Sequence, residues 1–112
     1  MRIRKLLVLV LLGLSFAAVA DFRTITEVYE IDLTNLRLPG TEGGTLAIKE
    51  CDECDVQTLR VSAGTRYVLN DRDVTLLQFK KAISRITNRE DVVVDVAHHL
   101  ESDTVTAVMV KL

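Results

Sequence analysis

Cys51 and Cys54 are the only two cysteines in the 112 residues, and they stand three apart in a run of acids, Glu50-Cys51-Asp52-Glu53-Cys54-Asp55. A C-x-x-C pair can exchange electrons with other thiols, hold a metal, or close a small loop as a disulfide. The neighbours discriminate among these. A reactive thiolate needs cations or a helix N-terminus beside it. Here Glu50, Asp52, Glu53 and Asp55 oppose the anion, and only Lys49 is positive nearby. The residues that follow, Asp55 to Val61, alternate like a strand rather than opening a helix. The thiol-disulfide redox reading is therefore the alternative, and a structural disulfide between Cys51 and Cys54 is the expectation.

A metal site would need further ligands. His98 and His99 are the only histidines. Adjacent strand residues point to opposite faces, so at most one of them could join the cysteines. Cys51, Cys54 and His98 are the candidate ligands. A zinc ribbon needs four ligands, in two close pairs, and the second pair is missing. The plainer expectation places one histidine in solvent and the other at the end of a buried strand face.

Other groupings are weaker. Ser62 or Ser84 with His98 and an aspartate has the composition of a triad, but no G-x-S-x-G elbow presents a serine. Asp71 and Asp73 lie at a turn, where acids are common. Gly40-Thr41-Glu42-Gly43-Gly44 lacks the lysine and helix start of a phosphate loop. Lys80, Lys81 and Arg85 read as a solvated helix edge or a docking surface for an acidic partner. No catalytic residue and no cofactor is implied.

The elements that must position the cysteines follow from pattern and from destination. Residues 1–20 read as a cleaved secretory signal peptide. Arg2, Arg4 and Lys5 precede the apolar run Leu6 to Ala17, and Ala18-Val19-Ala20 gives the small-residue cleavage site before Asp21. The run is short of the about 20 residues that a spanning helix needs, so no stable membrane insertion is expected after cleavage. The chain is thus expected in the periplasm or secreted, where disulfides persist.

Removing residues 1–20 takes away three of the 14 basic residues and none of the 16 acidic ones, which leaves a net charge of −5. That sign argues against nucleic acid as a partner. The remaining expectation for a partner is a protein or a small ligand, met by a non-enzymatic binding or accessory protein.

Residues 21–44 read as an N-terminal strand or arm, Phe22 to Leu33, followed by a Gly-rich loop, Arg37 to Gly44. Residues 45–112 read as the β-rich domain. Within it, Thr45 to Glu50 and Val56 to Ser62 form a hairpin with the cysteines at its tip. A third strand, Thr65 to Leu69, ends at an Asn70-Asp71 turn whose residues tolerate positive φ.

The period then changes. Leu76, Leu77, Phe79, Ala82, Ile83 and Ile86 recur at helical spacing. Thr75 and Gln78 make a capping box, Val74 and Phe79 a hydrophobic staple, and Asn88 a left-handed stop. Asp91 to His99 and Thr104 to Leu112 form a second hairpin. The expected fold is α+β, in the order β-β-β-α-β-β: a small, curved, mostly antiparallel sheet or open barrel with one amphipathic helix.

Overall fold

The computed structural model describes residues 25–112. The leader at residues 1–20, and Phe22 to Thr24 of the first expected strand, lie outside the described residues. The fold is α+β. In chain order it runs β1 (Thr26–Asp32), a 3-10 turn (Leu33–Asn35), β2 (Leu36–Arg37), β3 (Thr45–Ile48), β4 (Gln57–Arg60), β5 (Arg66–Leu69), β6 (Arg72–Val74), α1 (Leu76–Ser84), a second 3-10 turn (Arg89–Asp91), β7 (Val93–His99) and β8 (Thr104–Val110).

The strands form two sheets that do not close into a barrel. The large sheet has the order β1-β7-β8-β5-β6 and the small one β2-β3-β4. All pairings are antiparallel except β5 with β8. β1 runs beside β7 over its full length, from Thr26 opposite His99 to Asp32 opposite Val93.

The core is written in the alternation of β7 and β8. Val94 and Val96 face inward opposite Val110 and Val108, and all four are buried. A β-bulge between Ala97 and His98 lets Val105 rejoin the inward row opposite His98. Leu46, Ile48 and Leu59 from the small sheet and Phe79 and Ile83 from α1 enter the same cluster. Each fully buried side chain of this kind contributes about 1.5–3 kcal/mol relative to exposure. The opposite face of the large sheet stays open, with Val28 and Val93 more than half exposed.

Local signals place the helix. Thr75 accepts from the Gln78 amide at 3.1 Å, and Gln78 reaches back to the Thr75 amide at 3.0 Å. This capping box satisfies two backbone donors that the first helical turn leaves free. Leu76, Phe79 and Ile83 form the buried stripe.

The C-terminus differs from the expected left-handed stop at Asn88, whose φ is −93°. The helix ends at Ser84, and the amides of Arg85 and Ile86 tighten onto the carbonyls of Ala82 and Ile83. The Arg89 guanidinium also donates to the Ile83 carbonyl at 3.1 Å. Side chain and 3-10 bonds together do what a left-handed residue would have done.

Asn70 and Asp71 do take positive φ, 52° and 66°. Two such residues in succession build a tight hairpin turn whose twist matches that of its strands. The turn leads into β6, a strand absent from the expected order. β2 is the second addition, a two-residue strand that takes in Arg37, the first residue of the segment read as the Gly-rich loop.

Candidate functional site

The connection between β3 and β4 runs from Lys49 to Val56 and carries the cysteine pair. Cys51 and Cys54 are joined as a disulfide, with their Cα atoms 5.0 Å apart. The Cys54 amide donates to the Cys51 carbonyl at 3.1 Å, which closes the same turn through the backbone. Cys51, Asp52, Glu53, Asp55 and Val56 are all exposed. The tip is a small covalently closed loop that holds acids out in water.

This loop stands against the outer strand of the large sheet. The Asn35 side-chain amide donates to Asp52 at 3.3 Å, and the Lys49 amide donates to the Asn35 carbonyl at 3.0 Å. A cleft of about 280 Å³ lies between them, with Asn35 and Cys51 in its lining. Four carboxylates, Glu30, Asp32, Glu50 and Asp52, line it as well, and no base among the described residues does. Glu27 stands on the other face of β1 from Glu30 and Asp32, and three acids and no base occupy its seven residues. Burial raises the Tyr29 hydroxyl above its ordinary pKa, and the charges of Glu27 and then Glu50 add to the shift.

β1 is also an edge. β7 occupies one side of it, and among the described residues no strand pairs with the other. An edge strand presents unpaired backbone donors and acceptors that can accept another strand. Charges along such an edge select among the strands that could add to it.

The other sequence candidates fall elsewhere. His98 ends the buried face of β7, only 8% exposed, with Nε2 2.9 Å from Asp103 Oδ1. It pairs with Glu27, five positions along β1 from Asp32. At about 3.3 Å per residue, that separates it by roughly 16 Å of strand from the end of β1 that meets the disulfide loop. The trio Cys51, Cys54 and His98 is therefore not brought together. Among the described residues no group of three or more His, Cys, Asp or Glu side chains is placed to hold a metal ion.

The serines are not joined to His98 either. Ser62 accepts from the Gly64 amide at 3.2 Å and Ser84 donates to the Lys81 carbonyl at 2.7 Å. The serine that meets a histidine is Ser102, whose hydroxyl is 3.1 Å from His99 Nδ1. Its ring is not the one paired with Asp103. Asp73 and Asp71 are taken up by Arg66 at 2.9 Å and Lys111 at 3.6 Å, both exposed pairs.

A hollow of about 820 Å³ lies beyond the end of α1, with Asp71, Asp91 and Asp95 together with Arg85 and Lys111 among its lining. It is an open groove of mixed sign with no convergent polar set.

The residues that sequence reasoning missed are Glu27, Glu30 and Asp32. Their signal was present as acids interrupting a β-branched alternation, but the strand's place at the edge of a sheet is a property of topology. Among the described residues no helix is long and apolar enough to cross a membrane. Comparison with protein families, with curated proteins and with solved structures finds no match to the chain.

Proposed function

We propose that this chain is a small exported docking module, periplasmic or secreted and non-enzymatic, that recognises a positively charged, extended protein segment along the β1 edge. The observation that carries the reading is the juxtaposition of an unpaired acidic strand edge with a disulfide-closed acidic loop. Strand addition supplies backbone hydrogen bonds, and side chains projecting from alternate positions supply specificity. A segment carrying Lys or Arg at alternate positions would place cations over Glu30, Asp32 and Glu50. The disulfide fixes the shape of the loop that forms one wall. The leader pattern at residues 1–20 and the paired cysteines support an oxidising destination.

Two measurements test this. Intact mass of the protein recovered from the exported fraction should match a chain that starts at Asp21 and lacks two hydrogens. A retained leader or two free thiols would overturn the compartment. Titration with an extended Lys/Arg-rich peptide, followed by amide shifts, should move β1 and the 50–55 loop. Glu30→Lys with Asp32→Lys should weaken binding by about ten-fold, or roughly 1.4 kcal/mol. Equal binding of an acidic control peptide would count against the edge. A disulfide that equilibrates readily with a glutathione buffer, rather than staying oxidised below about −300 mV, would instead favour a redox role.

A further inference from the structure

The acidic edge has a basic counterpart directly beside it. A groove of about 480 Å³ on the outer side of the small sheet is lined by Asn35, Arg37, Lys49 and Val56 among others, and no acid lines it. A second groove of about 310 Å³ shares Leu36 and Arg37 with the first and adds Lys80 and Arg89, again with no acid. The two make one strip carrying four cations. Register explains the half of the strip on the small sheet. Thr45 and Ala47 alternate outward along β3, Lys49 continues the row just past its end, and Arg37 faces Ala47 from β2. In a chain with more acids than bases, an acid-free strip of this length stands out from its surroundings.

Among the described residues neither strip is neutralised by an ion pair. The ion pairs among the described residues are Arg66–Asp73, His98–Asp103 and Lys111–Asp71. They include none of Lys49, Arg37, Lys80 and Arg89, and none of Glu27, Glu30, Asp32, Glu50 and Asp52. The strips meet at Asn35, which lines both the acidic cleft and the basic groove. Val56, 57% exposed at the foot of the disulfide loop, lines the basic side of that seam.

From this arrangement we infer that the chain associates with a second copy of itself through a two-fold interface centred on the Asn35 seam. The inference rests on the docking role of the acidic edge and gives it a partner that meets it with a folded basic strip rather than an added strand. Opposite charges lying side by side are self-complementary under a two-fold rotation: the acidic strip of each copy meets the basic strip of the other, twice per dimer. Apolar contact at Val56 lies close to the axis. The simpler dimer, β1 against β1 in an extended sheet, is opposed by its own charges, because three acids would face three acids.

The experiment is a charge-swap complementation on the full mature chain, read by sedimentation. The wild type should sediment as a dimer at low salt and dissociate at high salt, since exposed charge pairs are screened. Arg37→Glu with Lys49→Glu should weaken association at least ten-fold, and so should Glu30→Lys with Asp32→Lys. An equimolar mixture of the two folded variants should restore the dimer, because every contact again joins opposite signs. Circular dichroism of each variant confirms that it folds.

A wild type that stays monomeric at low salt overturns the inference, as does a dimer indifferent to both swaps or a mixture that fails to reassociate. Basic-peptide titration of the same wild-type sample separates the two claims. A monomer whose β1 amides move with the peptide refutes the dimer and keeps the docking role. A monomer that ignores the peptide refutes both.

Discussion

The two longest-reaching hairpins are ordered by different means. In β7–β8 both strands run seven residues, lie inside the large sheet between β1 and β5, and bury Val94, Val96, Val105, Val108 and Val110. Its turn has no covalent tie and is held by Asp103 at φ 53°, the His98–Asp103 pair and the Ser102 contacts with His99 and Thr104. In β3–β4 the strands run four residues and reach the core through Leu46, Ile48 and Leu59, while the loop beyond them projects Glu50, Asp52, Glu53 and Asp55 into water. Apolar burial orders the first hairpin. The second has no burial at its tip and carries mutually repelling charges there, so a Cys51–Cys54 bond supplies the constraint. A docking loop can then keep a fixed shape without a hydrophobic reason to do so.

The contrast breaks first if its buried half is not essential. Val108 is fully buried and faces Val96 across the ladder. Val108→Asp would place an uncompensated carboxylate among valines, at a cost of about 4 kcal/mol or more, comparable with the whole stability of a small domain. The expected result is loss of the cooperative thermal transition. A variant that still unfolds cooperatively near the wild-type temperature would show that β7–β8 does not carry the fold.

The exposed half predicts a much smaller effect. Cys51→Ser with Cys54→Ser releases a loop too short to restrict the unfolded chain strongly, so the loss should stay at or below about 2 kcal/mol. Urea unfolding should show an unchanged slope with a lower midpoint, and hydrogen exchange should quicken in residues 50–55 and in Asn35, not in β7 or β8. Failure of this variant to fold would place the disulfide in the core's stability and erase the distinction between the hairpins.

Much of this contrast is legible in the amino-acid sequence itself, and the reason is locality. The period-two valines of β7 and β8, the Thr75–Gln78 capping box, the positive-φ pair Asn70–Asp71 and the acids around the cysteines all act within a few residues of themselves. β6 and β2 escape because strands of three and two residues carry too little alternation to rise above their neighbours. Asn88 misleads because the Ile83 carbonyl is met by a side chain from Arg89, a contact with no sequence signature. The candidate site divides the same way. The disulfide loop is local and visible, whereas Glu30 becomes a site residue only once β1 is an edge beside that loop. The parallel pairing of β5 with β8 is likewise a consequence of the chain crossing by α1.

The finest test concerns the strand that β8 packs beside. Tyr67 of β5 sits opposite Val108, its ring 5.5 Å from Phe79, and its hydroxyl is buried without a partner among the described residues. Burial pushes its pKa above 10.0, and the charge of Glu42 adds to the shift. A phenol with a raised folded pKa holds its proton more tightly in the folded chain than in the unfolded one. Its stabilising contribution is therefore complete below pH 10.0 and drains away as pH climbs through the raised value. Tyr67→Phe keeps the ring contact and removes the ionisation. At neutral pH it should change stability by less than the about 1 kcal/mol of an ordinary hydrogen-bonded hydroxyl, because no such bond is lost. Above pH 10.0 the variant should lose stability more gently than the wild type. Tyr29, raised by burial and then by Glu27 and Glu50, leaves a residual alkaline slope that Tyr29→Phe should remove in turn. Matched urea titrations across that pH range measure both slopes. An alkaline loss identical in wild type and Tyr67→Phe would mean that the β5–β8 side of the core opens to water before the ring ionises, and that burial orders this region less completely than β7–β8 implies.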